Sequence, residues 1–421
     1  MGASVSSKAK KITWLLAMVY FASYLMRKNF SVMLAAITAS GFDAVALGVV
    51  GSALTISYGA GQIVNGILGD KIKPQYMLTC GLFLAASCNF AMSFCESVTL
   101  MAVVWFVNGF AHAMLWPPIV RLMAMYMNDA EYGYAAVRIS AASSVATIVL
   151  YLFAPMMLKV MNWNRVILCV SIAGLGIAIA WLLLNPRLFE AKEPALTAEP
   201  SEAAPAAKCV PLPRIVWLPT VLIFIGIVLQ GALRDGVGDW MPTYMAEAFE
   251  LDPNNAIITG LVPAVFSIIS FTAFDLLHRK LFKNEVNCAA VIFIAATACA
   301  GLLLLLNVLA LTGWIAGVLS ALLIGLLVAC MHGVNLMLIV VVPKRFVKCG
   351  KVSTFSGLLN AATYVGAAVA LPLFPALAER FDWNVTIASW GVIALLGAVI
   401  CFAVVPMWRR FRTEYSDNPE I

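Results

Sequence analysis

Charged side chains are scarce in this sequence. Aspartate, glutamate, lysine and arginine make up 11% of its 421 residues, whereas hydrophobic residues make up 62%. Soluble domains carry about 25% charged residues, so the composition excludes an ordinary soluble protein. Apolar runs recur along the whole chain, and many reach the length of about 20 residues that a helix needs to cross a bilayer. The sequence therefore predicts a protein that crosses the membrane many times.

Motifs of enzymes and metal sites are also lacking. No CxxC pair occurs among the ten cysteines, and the three histidines are too dispersed for a metal site. The sequence contains no P-loop, GxSxG or HExxH motif, and no nucleotide-binding domain that could drive a pump. We therefore predict a protein that is not an enzyme and that needs no cofactor and no metal.

Twelve apolar runs fall into two sets of six. The first set ends near residue 184, a stretch rich in alanine, proline and glutamate occupies residues 185–213, and the second set follows. We predict an all-α membrane protein with a six-helix bundle at 1–184, a linker at 185–213, and a second six-helix bundle with a short tail at 214–421. The two sets echo each other in the placement of their charges, which indicates pseudo-symmetric halves.

The net charge of +6 does not indicate a nucleic-acid partner, because the cations lie in short polar segments between apolar runs. Most of these segments fall on one side, which is the pattern of cytoplasmic loops. We therefore expect a multi-pass membrane protein with both termini and the linker in the cytoplasm. Nothing in the sequence indicates a stable oligomer, so a monomer in the lipid bilayer is expected.

The first apolar run contains two cations, Arg27 and Lys28, about 15 residues from its start. That distance corresponds to about 22 Å along a helix, which is too deep for easy snorkelling to the headgroups. A charge at this depth costs at least about 2.5–3.5 kcal/mol and usually faces a polar cavity or a partner. Tyr20 and Tyr24 share a helical face with Arg27. The pattern predicts that Arg27 faces a cavity.

The seventh apolar run repeats this feature, with Arg234 near its middle. Two arginines at matching places in two similar halves suggest one shared ligand, and guanidinium forks suit a tetrahedral oxyanion. Arg27 and Arg234 without carboxylate partners would favour a dianion. Lys28 and Asp239 are the remaining charges and could neutralise each other. Asp235 could instead pair with Arg234, which would make that arginine structural.

Other runs carry polar side chains at helical spacing, such as Tyr58, Gln62 and Asn65. Each stripe alone is explained by contact between helices, but together they predict the lining of a wet path. The candidate lining residues are Gln62, His112, Trp116, Ser143, His332, Asn335 and Asn360. A turn with Gly66, Asp70 and Lys71 follows the second run and resembles the loop signature of major facilitator transporters. In that superfamily the loop is structural, so Asp70 is expected to brace helix ends.

Residues 24–30, Tyr-Leu-Met-Arg-Lys-Asn-Phe, resemble the first-span motif of the organophosphate:phosphate antiporter family, which includes bacterial glycerol-3-phosphate and hexose-phosphate transporters. Residues 233–244 resemble its seventh-span motif, and Trp116-Pro117-Pro118 its fourth-span motif. The resemblance implies a major facilitator fold of twelve transmembrane helices in two pseudo-symmetric bundles. It also implies exchange of a phosphate ester for inorganic phosphate by rocker-switch alternating access.

The resemblance assigns roles to the matching positions. Arg27 and Arg234 would clamp the phosphate, Tyr20 and Tyr24 would line the pocket, and Lys28 and Asp239 would form a salt bridge that loosens as substrate binds. The chain has Gln62 and Ser143 where glycerol-3-phosphate transporters have lysine and histidine, so the organic part of the substrate is not assigned.

Two alternatives stay open at this stage. A sensor of the same family would bind a sugar phosphate without transporting it, and the short C-terminal tail favours transport over this interpretation. A major facilitator transporter of another organic anion would need a functional membrane carboxylate, but Asp235 and Asp239 both lie near cations in the sequence.

Overall fold

The structure is a computed structural model that describes residues 5–42, 44–189, 211–250, 259–309 and 313–418. Within these ranges twelve long helices and no strand occur, which confirms the predicted all-α class and helix number. Their bounds are α1 Ser7–Val32, α2 Ala44–Lys71, α3 Pro74–Met92, α4 Val98–Tyr126, α5 Asp129–Leu158, α6 Trp163–Phe189, α7 Arg214–Phe249, α8 Leu261–Lys280, α9 Glu285–Val308, α10 Gly313–Cys349, α11 Val352–Arg380 and α12 Trp383–Ser416. Ten of these twelve helices are long and apolar enough to cross a membrane, and the other two are α1 and α3.

Several helices begin at a polar residue that caps their free backbone N–H groups. Asn128 starts α5 with a reciprocal capping box, in which its side chain accepts from the Glu131 amide and Glu131 accepts from the Asn128 amide. Asp382 caps α12 by accepting a hydrogen bond from the Val385 amide. Such caps lie at polar gaps in an apolar sequence, and they fix where these helices start.

The helices pack into two compact units. The first unit comprises Met1–Pro211 together with Pro343–Leu358, and the second comprises Leu212–Val342 with Leu359–Ile421. In the first unit α1 packs on α5, α2 on α4, and α3 on α6; in the second α9 packs on α12 and α8 on α10. The predicted domain boundaries stay a prediction, and residues 190–210 of the predicted linker lie outside the described residues.

Two helices are interrupted near the predicted site residues. In α4 the α-helix stops at Ala113 and restarts at Trp116, where Pro117 cannot donate a backbone hydrogen bond. In α7 a π-helical turn, Ala232–Val237, separates two α-helical parts. Just before this turn Gly231 lies so close to the backbone of Thr363 in α11 that a Cβ atom would collide with it. Interruptions of this kind are frequent at functional sites.

Candidate functional site

Arg27 in α1 lies among aromatic rings of the first unit. Its guanidinium carbon is 3.8 Å from the ring centroid of Tyr58 and 5.7 Å from that of Tyr24, which are cation–π distances. Tyr20 contacts Tyr24 edge-on at 5.1 Å and also contacts the indole ring of Trp116 at 4.8 Å. The structure therefore brings four predicted site residues together, and adds Tyr58, which the sequence placed only in a polar stripe.

His112 in α4 is buried beside this aromatic group. Its Nδ1 atom is 3.0 Å from the Ser23 hydroxyl, whereas Nε2 has no hydrogen-bond partner among the described residues. Ser23 lies one turn before Arg27 in α1, so this contact brings His112 to the helix that carries Arg27. His112 thus joins Arg27 in the first unit although no sequence motif linked them.

Three buried asparagines hold the backbone just before Arg27. Asn89 in α3 donates to the Met26 carbonyl at 3.0 Å, and Asn108 in α4 donates to the same oxygen at 3.4 Å. Asn29 donates to the side-chain oxygen of Asn89 at 2.6 Å. These contacts fix α1 against α3 and α4 at the residue that precedes Arg27. The sequence analysis missed Asn89, although an amide in a spanning helix signals a partner, because leaving it unsatisfied is costly.

Two other predicted lining residues of the first unit have different surroundings. Gln62 lies one turn beyond Tyr58 in α2 and is fully buried, and neither atom of its amide has a hydrogen-bond partner within the described ranges. Ser143 in α5 donates to the carbonyl of Ser140 in its own helix at 2.7 Å. The structure therefore places Gln62 on the Tyr58 face, and it ties Ser143 to its own helix.

Arg234 in the second unit has a carboxylate partner. Its Nε atom is 2.7 Å from Oδ1 of Asp235 and its terminal nitrogen is 2.9 Å from Oδ2, so the pair is bidentate. The expectation that Arg234 lacks such a partner is wrong, and the alternative pairing with Asp235 is the one observed. In an α-helix neighbouring side chains do not face each other. Here the two residues lie in the π-helical turn of α7, where they meet.

His332 in α10 is half-buried and feels the charges of both Arg234 and Asp235. Its ring contacts Phe271 edge-on at 5.5 Å. The second unit therefore also places a histidine near its arginine. Of the other predicted lining residues, Asn335 is half-buried one turn along α10, and Asn360 is buried in α11.

Gln230 in α7 lies one turn before Arg234 and is fully buried. Its amide donates to the Met331 carbonyl of α10 at 3.1 Å, and its oxygen accepts from the Thr363 hydroxyl of α11 at 3.5 Å. This amide is the counterpart of the asparagines near Arg27. It was absent from the sequence prediction, because a single glutamine in an apolar run carries no motif.

Lys28 and Asp239 both have exposed side chains. Their predicted salt bridge stays a prediction, as do the substrate contacts of the two arginines.

The turn after α2 braces another helix. Asp70 accepts hydrogen bonds from the backbone amides of Ser353 at 2.8 Å and Thr354 at 2.9 Å, and from the Thr354 hydroxyl at 2.5 Å. These amides are at the N-terminus of α11, where a carboxylate also complements the helix dipole. Arg121 in α4 donates to the carbonyls of Gly69 and Ile72 at the end of α2. The geometry supports the predicted bracing role of Asp70.

Gly66 and Lys71, the other residues of this turn, differ in position. A Cβ atom on Gly66 would lie 2.9 Å from the Ser353 carbonyl oxygen, so a larger residue would push α11 away. Lys71 is exposed at the end of α2.

The family is decided by a match over most of the chain. The model of the Major Facilitator Superfamily matches residues 16–346. The chain belongs to the Major Facilitator Superfamily. Proteins of this superfamily are transporters and not enzymes, which confirms the predicted non-enzymatic class. A solved structure of a superfamily transporter, FucP, in the outward conformation has a TM-score of 0.68 at 15% identity, covering 96% of this chain and 99% of that one.

Two relatives are phosphate-ester transporters by name. The chain is 26% identical over 404 residues to the glycerol-3-phosphate transporter of Bacillus subtilis, a match that covers 90% of this chain and 87% of that protein. It is 33% identical over 115 residues to a probable hexose phosphate transport protein of Chlamydia pneumoniae, covering 27% of this chain and 25% of that protein. These matches confirm the predicted resemblance to organophosphate transporters within the superfamily.

In this major facilitator protein a second polar contact, between Lys344 and Asp129, holds the segment that Asp70 also contacts. Lys344 is 2.5 Å from the carboxylate of Asp129 at the start of α5, and its ammonium lies 4.9 Å from the ring centroid of Tyr132. Asp70 in α2 and Asp129 in α5 therefore both hold the segment Pro343–Leu358 to the rest of the first unit. Within the described ranges, no group of three or more histidine, cysteine, aspartate or glutamate residues could hold a metal ion.

Proposed function

We propose that this chain exchanges a phosphorylated organic solute, of the sugar phosphate or glycerol phosphate class, for inorganic phosphate. The observation that carries the proposal is Arg27, a permanent cation in α1 that lies near the rings of Tyr24 and Tyr58. A guanidinium presents parallel N–H donors that fit two oxygens of a phosphate. The similarity to phosphate-ester transporters supports the same ligand.

In this proposal Arg27 and Arg234 bind the phosphate group. Tyr20 and Tyr24 line its surroundings, and Lys28 and Asp239 form the salt bridge that loosens on binding. Aromatic rings suit the neighbourhood of Arg27, because a ring face stabilises the cation. A bound phosphate would add charge-assisted hydrogen bonds to the same guanidinium.

We also propose that transport follows rocker-switch alternating access. Hydrogen bonds to Asp70 and the Pro117 carbonyl and an ion pair with Asp129 hold Pro343–Leu358 to the rest of the first unit. Hydrogen bonds to charged groups contribute about 1.5–3 kcal/mol each, and such polar contacts can exchange with water without unfolding of the helices. The protein acts as a monomer in a bacterial inner membrane, with both termini in the cytoplasm.

The deciding experiment uses the purified chain in proteoliposomes loaded with radiolabelled phosphate. Unlabelled phosphate outside should release the label by homologous exchange, and external phosphate esters should release it as well. Absence of homologous phosphate exchange by protein that is folded in detergent would refute the antiporter proposal.

The same preparation separates transport from sensing. A sensor would bind phosphate esters, seen as a rise in melting temperature in detergent, without releasing label from the vesicles. A transporter of another organic anion would show neither phosphate exchange nor stabilisation by phosphate, but would release a labelled substrate of its own.

A further inference from the structure

An open cavity of about 380 Å³ lies in the second unit, between the C-terminal part of α7 and the connection of α11 with α12. This volume falls in the range of about 300–1,000 Å³ that small-molecule sites occupy. Its aromatic and polar lining consists of two tryptophans, two glutamates and a threonine, which are Trp240, Trp383, Glu247, Glu379 and Thr243. The other lining residues are a proline and an alanine of α11.

The two indole rings of the cavity are held by contacts within the second unit. Trp383 donates its Nε1–H to Oε2 of Glu247 at 2.8 Å, and its ring contacts Tyr244 edge-on at 5.2 Å. Trp240 donates its Nε1–H to the carbonyl of Leu371 in α11 at 2.9 Å. Because both N–H groups have protein partners, the tryptophans offer a ligand the surface of their rings. Tryptophan is the aromatic residue whose ring face attracts cations most strongly.

The charge of the cavity is negative. Glu247 in α7 and Glu379 in α11 bring two exposed carboxylates to it. Among the lining residues, which all belong to the described part of the chain, none carries a positive charge. The neighbouring Arg380 does not line the cavity, and its guanidinium carbon lies 5.7 Å from the ring centroid of Phe381. Two carboxylates at one cavity repel each other, so a cation between them is favoured and an oxyanion such as phosphate is not.

We infer that this cavity binds an organic ammonium ion, whose charge lies between Glu247 and Glu379 and whose alkyl part lies on the rings of Trp240 and Trp383. A metal ion fits these residues less well, because Ca²⁺ takes six to eight oxygen ligands and the cavity offers two carboxylates and one hydroxyl. The inference does not rest on the proposed exchange of phosphate, since the cavity involves neither Arg27 nor Arg234.

The same ammonium chemistry has two possible sources. One is a soluble amine, and the other is the ethanolamine headgroup of a membrane lipid. Both place a positive charge beside a short apolar chain, which the carboxylates and ring faces of this cavity match equally. In the predicted orientation, this end of the second unit faces away from the cytoplasm.

The test measures the melting temperature of the intact protein in an uncharged detergent. Ethanolamine hydrochloride at pH 7 is added in increasing concentration, and sodium chloride is added at the same concentrations. A ligand that binds the folded protein raises the melting temperature, whereas screening of surface charges depends on ionic strength alone. We expect a saturable rise with ethanolamine that sodium chloride does not produce. An equal rise with both salts would show screening only and would overturn the inference.

Two variants remove one part of the cavity each. Glu379→Gln keeps the size of an exposed side chain but removes its charge, and Trp383→Leu removes a ring. Each should raise the half-saturating concentration of ethanolamine about tenfold, the change that about 1.4 kcal/mol produces. An unchanged half-saturating concentration in Glu379→Gln would overturn the inference. If Trp383→Leu does not fold, Glu379→Gln alone decides.

Matched controls come from the same unit. Glu250→Gln removes an exposed carboxylate at the end of α7 that does not line the cavity, and Trp314→Leu removes a tryptophan that is 78% exposed in α10. Both controls should keep the wild-type half-saturating concentration. A loss of affinity in Glu250→Gln as large as in Glu379→Gln would assign the effect to the general negative charge of this end, and would contradict a site in the cavity.

Lipid nanodiscs distinguish the two sources of the ammonium group. If the source is a lipid, nanodiscs with phosphatidylethanolamine should stabilise the wild type more than nanodiscs of phosphatidylglycerol alone, and Glu379→Gln should lose this difference. If the source is a soluble amine, the two lipid compositions should give equal melting temperatures while added ethanolamine still stabilises the wild type in both. Absence of stabilisation by the lipid and by ethanolamine would overturn the inference.

Discussion

The two units of this protein use the same residue in different electrostatic surroundings. In the first unit Arg27 lies over the rings of Tyr58 and Tyr24. In the second unit Arg234 is bound by both oxygens of Asp235. The ring faces beside Arg27 and the carboxylate beside Arg234 are different immediate surroundings for the same side chain. Sequence symmetry between halves therefore does not imply equal roles.

The units resemble each other in how they hold these arginines. A buried amide ties the helix of each arginine to a neighbouring helix: Asn89 in α3 donates to the Met26 carbonyl before Arg27, and Gln230, one turn before Arg234, donates to the Met331 carbonyl of α10. The comparison thus separates a similar scaffold from the surroundings of the arginine, which are aromatic rings in one unit and a carboxylate in the other. The following predictions test each part of this separation.

The largest effect is expected from Arg27→Lys. An ammonium cannot reproduce the bidentate fork, and each hydrogen bond to a charged group contributes about 1.5–3 kcal/mol. Phosphate exchange should fall by about 100-fold or more, which corresponds to about 2.8 kcal/mol. The measurement is homologous phosphate exchange in proteoliposomes, with the melting temperature in detergent as the check of folding. Normal exchange in this variant would return Arg27 to a structural role.

The next effect is expected from Asn89→Leu, which removes the main donor to the Met26 carbonyl. The change leaves Arg27 intact but frees the turn that carries it, so we expect the KM for phosphate to rise about tenfold, by loss of about 1.4 kcal/mol of positioning. Gln230→Leu should produce a similar rise if the scaffold is shared.

Asn185→Leu is the control for both variants, because Asn185 is a buried amide that binds Trp181 in its own helix. A rise in KM with Asn185→Leu as large as with Asn89→Leu would show that loss of any buried amide has this effect. The serine variant Asn89→Ser, which keeps a donor, should restore part of the affinity.

A smaller effect is expected from Tyr58. Tyr58→Phe keeps the ring face toward Arg27 and should leave the KM for phosphate within about twofold, whereas Tyr58→Leu removes a cation–π contact of about 0.5–2 kcal/mol. We expect the leucine variant to raise KM about fivefold in exchange assays. Equal KM values for the two variants would show that the ring of Tyr58 does not support the arginine.

The sequence predicted some levels of this structure better than others. The twelve helices follow from the apolar runs, because a bilayer leaves a polypeptide few other ways to satisfy its backbone. The cluster of Tyr20, Tyr24 and Arg27 follows from helical spacing within α1. Asn89 and Gln230 could not be predicted as functional, because their partners are carbonyl groups on other helices. The pair of Arg234 with Asp235 was one of two alternatives in the sequence, and the π-helical turn in which it lies is not shown by α-helical periodicity.

The smallest effect is expected from two aspartates near the C-terminal ends of the second helix of each unit, α2 and α8. Asp70 binds two amides and a hydroxyl at the start of α11, whereas Asp275 forms an i,i+4 pair with the partly exposed Arg279 at 2.9 Å. Helix caps contribute about 1 kcal/mol and i,i+4 pairs about 0.2–0.5 kcal/mol. Asp70→Asn should therefore lower the melting temperature in detergent more than Asp275→Asn does. It should also speed cleavage by a protease added to the protein in detergent, because the Pro343–Leu358 segment loses its contacts with Asp70. An equal response of both variants would mean that the two turns are equivalent, and that the difference between the units is confined to the surroundings of the arginines.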